Sequence, residues 1–127
     1  MNRSEAIAFA EQKGSLFAHK RCVHFSNVSH SAIKSVWWVD IPLSKIVDCI
    51  CTNLHLILHN ALEKKLIVLE VPVKDMKRHL SEFSTRTRKG IEFISLELTL
   101  DNFMDTRPKG STVAFKQYVK NTYKTTK

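Results

Sequence analysis

Two apolar runs, Leu54–His59 and Leu66–Pro72, stand apart by only a short polar stretch and alternate in a way that leaves few folds open to the chain. In the first run Leu54, Leu56 and Leu58 point one way, and His55, Ile57 and His59 the other. In the second, Ile67, Leu69 and Val71 share a face opposite Leu66, Val68 and Glu70, because successive side chains of a strand alternate. Folded back as a hairpin, the runs join their apolar faces when Leu58 meets Ile67, Leu56 meets Leu69 and Leu54 meets Val71. That register also opposes Ile57 to Val68 and His55 to Glu70. A carboxylate across from an imidazole favours the charged form of both, provided desolvation does not win.

A helical stripe through Leu43, Ile46, Val47, Ile50, Leu54, Ile57, Leu58, Ala61 and Leu62 competes with the hairpin. On such a helix His55 and His59 would sit one turn apart. The β-branched Ile46, Val47, Ile50 and Thr52, together with Asn53, weigh against it.

Around the hairpin, Ser4 can cap a helix to about Lys13 that buries Ala6, Phe9 and Ala10 and stops at Gly14. Leu16–Phe25 holds a weakly patterned strand, and the serine-rich Ser26–Ser35 reads as a loop. Val36–Ile41 alternates, with Trp37, Val39 and Ile41 directed to a core and Val36, Trp38 and Asp40 opposite. Pro42 ends that strand and opens a short helical stretch at Leu43. After Pro72 the period changes: Val73, Met76, Leu80 and Phe83 form one stripe of a basic helix over 73–84. Ile94, Leu96, Leu98 and Leu100 line one face of a strand, and Asp101–Gly110 is irregular. Ser111 then caps a last helix burying Phe115, Tyr118 and Val119. The expected fold is one α+β domain over 1–127. Its sheet is mixed and mainly antiparallel around a central hairpin (54–59, 65–72), flanked by an N-terminal helix, the basic helix and a C-terminal helix.

No apolar run is long enough to cross a bilayer, and the N-terminus, with Glu5 and Glu11, has no secretory pattern. The three cysteines, Cys22, Cys49 and Cys51, leave an odd thiol under any pairing, and Cys49 and Cys51 are poorly placed to bridge each other. A reducing, cytoplasmic setting is the simplest inference, with Cys49 and Cys51 as small core residues.

The net charge of +8 is unevenly spread. Lys74, Lys77, Arg78, Arg86, Arg88 and Lys89 crowd one segment, and the stretch from Arg107 to the end carries cations but no acids, whereas residues 91–106 carry only acids. A pI near 9.6 suggests a polyanionic partner, DNA or RNA, while a merely solubilising surface is the plainer alternative. The candidate contacts are those six residues with Lys116, Lys120 and Lys124, which would repel one another at successive turns of the last helix. Trp37 is expected in the core, and Trp38 is the candidate platform for a base or a subunit contact.

The element order (helix, antiparallel strands, helix, strand) resembles the core of the PD-(D/E)XK nucleases, the restriction-endonuclease-like fold. The resemblance implies Asp40, Glu70 and Lys74 as catalytic candidates around Mg²⁺. The motif departs from that family: Pro72 occupies the lysine position of Glu-x-Lys, Lys74 comes two residues late, and Asn53 opens the Leu54–His59 strand. A zinc site from Cys49, Cys51, His55 and His59 has suitable ligand types but not a usual spacing. No cofactor is certain; Mg²⁺ enters only with the nuclease likeness. The leading expectation is a small basic nucleic-acid-binding protein, non-catalytic or a degenerate nuclease-like domain. A protein-interaction or homo-oligomer module, using a sheet edge near Trp38, and a Mg²⁺-dependent nuclease are the alternatives.

Overall fold

The computed structural model describes residues 1–31, 33–48, 51–107 and 113–125. One seven-stranded sheet runs in the order β5-β6-β2-β1-β3-β4-β7. Its strands are β1 (Val23–His30), β2 (Ser35–Pro42), β3 (Asn53–Asn60), β4 (Lys65–Pro72), β5 (Thr85–Arg88), β6 (Ile91–Thr99) and β7 (Val119–Lys124). The helices are α1 (Arg3–Gln12), α2 (Ser44–Val47) and α3 (Val73–Arg78). Neighbouring strands are antiparallel except β1 and β3, which run parallel. The chain is thus α+β with a mixed, mainly antiparallel sheet.

The hairpin forms in the register its alternation implies: Leu58 faces Ile67, Leu56 faces Leu69, Leu54 faces Val71, Ile57 faces Val68 and His55 faces Glu70. Its turn is held by Asn60, whose Oδ1 accepts the amides of Leu62 and Glu63 at 3.1 Å. Lys64 takes the left-handed conformation (φ 55°) that closes it. The competing helix is confined to α2.

Both faces of the hairpin are covered, which explains why its runs are nearly continuously apolar. On one face Leu54, Leu56, Leu58, Ile67, Leu69 and Val71 join Trp37, Val39, Ile41, Ile94, Leu96 and Leu98 under α3 and Phe115. On the other, α1 lays Ala6, Ile7 and Ala10 on Val23, Ile57, Leu66 and Val68, with Phe17. Trp37 is fully buried, stacks on Phe103 at 5.7 Å and donates its indole N–H to the His59 carbonyl at 3.1 Å. The cap of α1 is Asn2 rather than Ser4, reciprocated by Glu5 in a capping box. Gly14 (φ 112°) follows the helix end.

Four elements differ from the sequence reading. The serine-rich stretch is largely strand β1, because pairing to β2 on one side and β3 on the other outweighs weak strand propensity. The basic helix stops at Arg78 and passes through a 3-10 turn, Leu80–Glu82. The cationic Thr85–Gly90 stretch forms β5 and the tight turn into β6, with Lys89 and Gly90 both at positive φ. The expected C-terminal helix is instead a 3-10 turn, Lys116–Tyr118, followed by strand β7. There Val119, Asn121 and Tyr123 alternate with the exposed Lys120, Thr122 and Lys124, and the otherwise unpaired edge of β4 takes that period-two pattern. Ser111, the cap assigned to that helix, lies outside the described residues, as does Cys49.

Cys22 and Cys51 form a disulfide, with Cα atoms 6.1 Å apart, joining the turn before β1 to the entry of β3. Both are buried, and the bridge corrects the expectation that Cys51 is a reduced core thiol. Among the described residues no helix is long and apolar enough to cross a membrane.

Leu56→Ala should destabilise the fold by about 2–5 kcal/mol, whereas Leu62→Ala, in the exposed hairpin turn, should change it by less than about 0.5 kcal/mol. Urea unfolding of the two variants checks this. Cys51→Ser should lower stability by about 3 kcal/mol through loss of the cross-link, and reduction of the wild type should have a similar effect. An unchanged unfolding midpoint on reduction would count against the bridge.

Candidate nucleic-acid interface

Helix α1 packs over β1, β3 and β4. α1 does not cover the part of the same sheet face made by β2, β6 and β5, where Trp38, Arg86, Arg88 and Ile91 are exposed and Ser95 and Glu97 are buried, the latter under Thr106. Antiparallel register decides what stands there. On β2, Trp38 and Asp40 are directly opposite Glu97 and Ser95 of β6, and Arg86 and Arg88 of β5 are opposite Phe93 and Ile91. Directly opposed residues share a face, so all eight project together.

Trp38 is 42% exposed. The Lys34 ammonium and the Arg107 guanidinium each lie 5.8 Å from its ring centre. Beside it, Asp40 accepts the Ser95 hydroxyl at 2.8 Å and pairs with Arg86 and, at 3.9 Å, with Arg88. Arg88 also lies 4.9 Å from the centre of the Phe93 ring. Below Trp38, Glu97 is nearly inaccessible. It accepts Lys34 Nζ at 2.8 Å and the Thr106 hydroxyl. Burial pushes its carboxyl up, but the hydrogen bonds from Lys34 and Thr106 and the charges of Lys34 and Arg107 outweigh it and hold it below the usual range. Asp105, fully buried, accepts the amides of Glu97 and Arg107 at 3.0 and 3.1 Å through one oxygen while its other oxygen has no partner. There burial prevails and the carboxyl is raised.

The nine cations singled out from the sequence do not form one patch. Arg86, Arg88 and Lys89 lie at the β5 edge. Lys120 and Lys124 lie on β7 at the other edge, while Lys74, Lys77 and Arg78 lie on or beside α3 and Lys116 in the 3-10 turn before β7. Lys74 and Lys77 line an apolar cleft of about 460 Å³ with Thr52, Asn53 and Val73. Arg78 pairs with Asp75, which also accepts the Tyr118 hydroxyl at 3.0 Å. Lys120 pairs with Glu70 at 2.9 Å.

Asp40, Glu70 and Lys74 do not converge. Asp40 is on β2 and Glu70 on β4, with β1 and β3 between them, so their strands lie about 14 Å apart. Asp40 is occupied by Arg86 and Ser95, and Glu70 by Lys120. These residues do not fit a shared Mg²⁺, which needs its carboxylates together. The zinc set does not assemble either. Cys51 is bridged to Cys22, and His55 and His59 are four positions apart on one strand, about 13 Å. Among the described residues no group of three or more His, Cys, Asp or Glu side chains is placed to hold a metal.

The His55–Glu70 pair opens onto a cleft of about 530 Å³ with Glu11, His19 and Asn53, and Phe17 meets the His55 ring edge-on at 5.1 Å. Burial lowers the His55 pKa; Glu70 raises it and Lys120 lowers it, so desolvation wins over the facing carboxylate. His59, bonded to Asn27 at 2.8 Å, is lowered by burial and then by the N-terminal amine. His24 is pushed down to about 4, by burial first and then by Lys45 and Arg3. Alternation alone marked Trp38. Its companions escape a local reading: Lys34 reaches it from the turn before β2, and Arg107 from the segment after β6.

The sequence matches no known family model and no characterised protein, and no solved structure matches the fold.

For a histidine lowered on folding, the unfolded chain takes up the proton first, so stability falls with acidification. Conformational stability should therefore decline as pH drops from about 6.5 toward 4, His24 contributing up to about 3 kcal/mol. His24→Gln should flatten that part of the urea-midpoint profile. A wild-type profile that stays level across this window would refute the assignment.

Proposed function

We propose that this protein binds nucleic acid, preferentially single-stranded, on the β2–β6–β5 face around the exposed Trp38. Trp38 serves as the base-stacking platform, Phe93 as a lesser one, and Lys34, Arg86, Arg88, Lys89 and Arg107 meet the backbone. The observation that carries the reading is Trp38, standing exposed between two cations on the part of the sheet face that α1 does not cover. Stacking tolerates every base, and lysine and arginine contacts to phosphate supply affinity without sequence information. A duplex hides its bases' flat faces, so a lone aromatic on a sheet favours an unpaired strand.

The acids on this face do not cancel its charge. Asp40 is met by Arg86 and Arg88, and Glu97 by Lys34 and Arg107. Each carboxylate thus organises two cations and leaves a surplus. The lysines near α3 and β7 extend the same reading as a second, longer-range electrostatic field.

Association through sheet edges is the competing reading, since β5 and β7 end the sheet. Both carry exposed cations, Arg86 and Arg88 on one and Lys120 and Lys124 on the other, and such charges oppose edge-to-edge pairing. Hydrolysis of nucleic acid through Asp40, Glu70 and Lys74 has no supporting geometry. A cytoplasmic location loses the argument from unpaired thiols, because the Cys22–Cys51 bridge suits an oxidising compartment better.

Anisotropy titrations of a labelled oligothymidine should give saturable binding that weakens with salt, with a log–log slope of about −3 if four phosphates are engaged. Trp38→Ala should weaken it by about 1–3 kcal/mol and leave thermal stability nearly unchanged. Arg86→Gln with Arg88→Gln should flatten the salt slope. Absence of salt-dependent binding, or wild-type affinity in Trp38→Ala, would reject the proposal.

A further inference from the structure

We propose that Arg3, Arg21, Lys45 and His24 form a second binding site, for a phosphate-type oxyanion, at the end of the sheet where β1 begins. None of these residues belongs to the Trp38 surface, and the inference does not depend on that reading. Four elements bring them together. Arg3 opens α1 and donates through Nε to the Val23 carbonyl at 3.2 Å and through its terminal nitrogen to the Lys20 carbonyl. Lys45, on α2, donates to the carbonyl of Arg21. Arg21 lies in the 3-10 turn Lys20–Cys22, and His24 follows on β1.

The cluster lacks a counter-charge. Among the described residues no carboxylate pairs with Arg3, Arg21 or Lys45; the nearby Glu11 is turned to Lys20 at 3.7 Å. Main-chain carbonyls hold the arginine and the lysine in place, but they carry only partial charges and leave like charges facing one another. Burial lowers Lys45, and Arg3 and then Arg21 lower it further. His24 stays neutral beside them, and its Nε2 is buried without a hydrogen-bond partner. An anion would relieve the facing positive charges of Arg3, Arg21 and Lys45.

The ligand's class follows from the donors. Two guanidinium groups and an ammonium suit an oxyanion with several acceptor oxygens and more than one charge. That describes a phosphate, whether in a nucleic-acid backbone or on a small phosphorylated molecule.

The test follows the His24 ring resonances by NMR at neutral pH as inorganic phosphate is added, with sodium chloride at matched ionic strength as reference. The expected result is a saturable change specific to phosphate, with the His24 pKa rising from about 4. Lys45→Gln and Arg3→Gln should each weaken phosphate binding about ten-fold, the loss of one charge-assisted hydrogen bond. The buried Trp37 indole signal verifies that each variant is folded, and the wild-type titration needs no variant. Oligothymidine binding by Lys45→Gln separates the sources. If it weakens with phosphate binding, the site takes a backbone phosphate; if it is unchanged while phosphate binding is lost, the site takes a small phosphorylated molecule. A His24 response to phosphate no larger than that to chloride, or wild-type phosphate affinity in folded Lys45→Gln, would overturn the proposal.

Discussion

The register of β3 against β4 is the constraint from which the remaining architecture follows. Each strand is apolar on both sides, and a slip of one residue would exchange the two faces. Only the observed pairing sets Leu54, Leu56 and Leu58 with Ile67, Leu69 and Val71 on one side. It leaves Ile57, Leu66 and Val68 for α1 on the other. The facing polar pair of the second face, His55 and Glu70, then falls near one end of the ladder, where Lys120 and an open cleft can receive it. The two outer strand positions follow in turn. β1 runs parallel to β3, with the Cys22–Cys51 bridge at their shared entry, and β7 fills the far edge of β4.

What could be read beforehand was what local alternation encodes. The hairpin, the inward Trp37 with the outward Trp38, and the buried stripe Ile94, Leu96 and Leu98 all declare themselves within a few residues. What could not be read depends on neighbours distant in the chain. Ser26 and Asn27 are poor strand residues, yet β1 is held on both flanks and so is strand regardless. Val119–Lys124 satisfies a helical stripe and a strand alternation equally well; the open edge of β4 decides between them. The disulfide was hidden for the same reason. Cys22 and Cys51 come close only once β1 and β3 are known to be parallel neighbours, and the serine-rich pattern of β1 does not declare it a strand.

Charge tells a similar story at a larger scale. The cations looked segregated along the chain, but the sheet order divides them, with the arginines of β5 at one edge and Lys120 and Lys124 of β7 at the other. The alternating strands also separate Asp40 from Glu70, so acids that seemed to outline a metal centre instead serve as anchors for nearby arginine and lysine side chains. Sequence proximity of like charges says how strong a field is; only topology says where it is applied.

That anchoring separates a working surface from a merely soluble one. A solubilising cation extends into water and is disordered, so recruiting it to a ligand means ordering a long side chain. On the β2–β6–β5 face the ordering has already happened: Asp40 fixes Arg86 and Arg88 beside Phe93, and Glu97, buried beneath, fixes Lys34 against Trp38. Burying Glu97 is unfavourable taken alone, as the upward push on its carboxyl demonstrates. A structure concerned only with solubility would have left that acid at the rim. On the proposed reading, its position under an exposed indole, beside Lys34 and Arg107, would preorganise the face for a ligand that is flat on one side and negative along its edge.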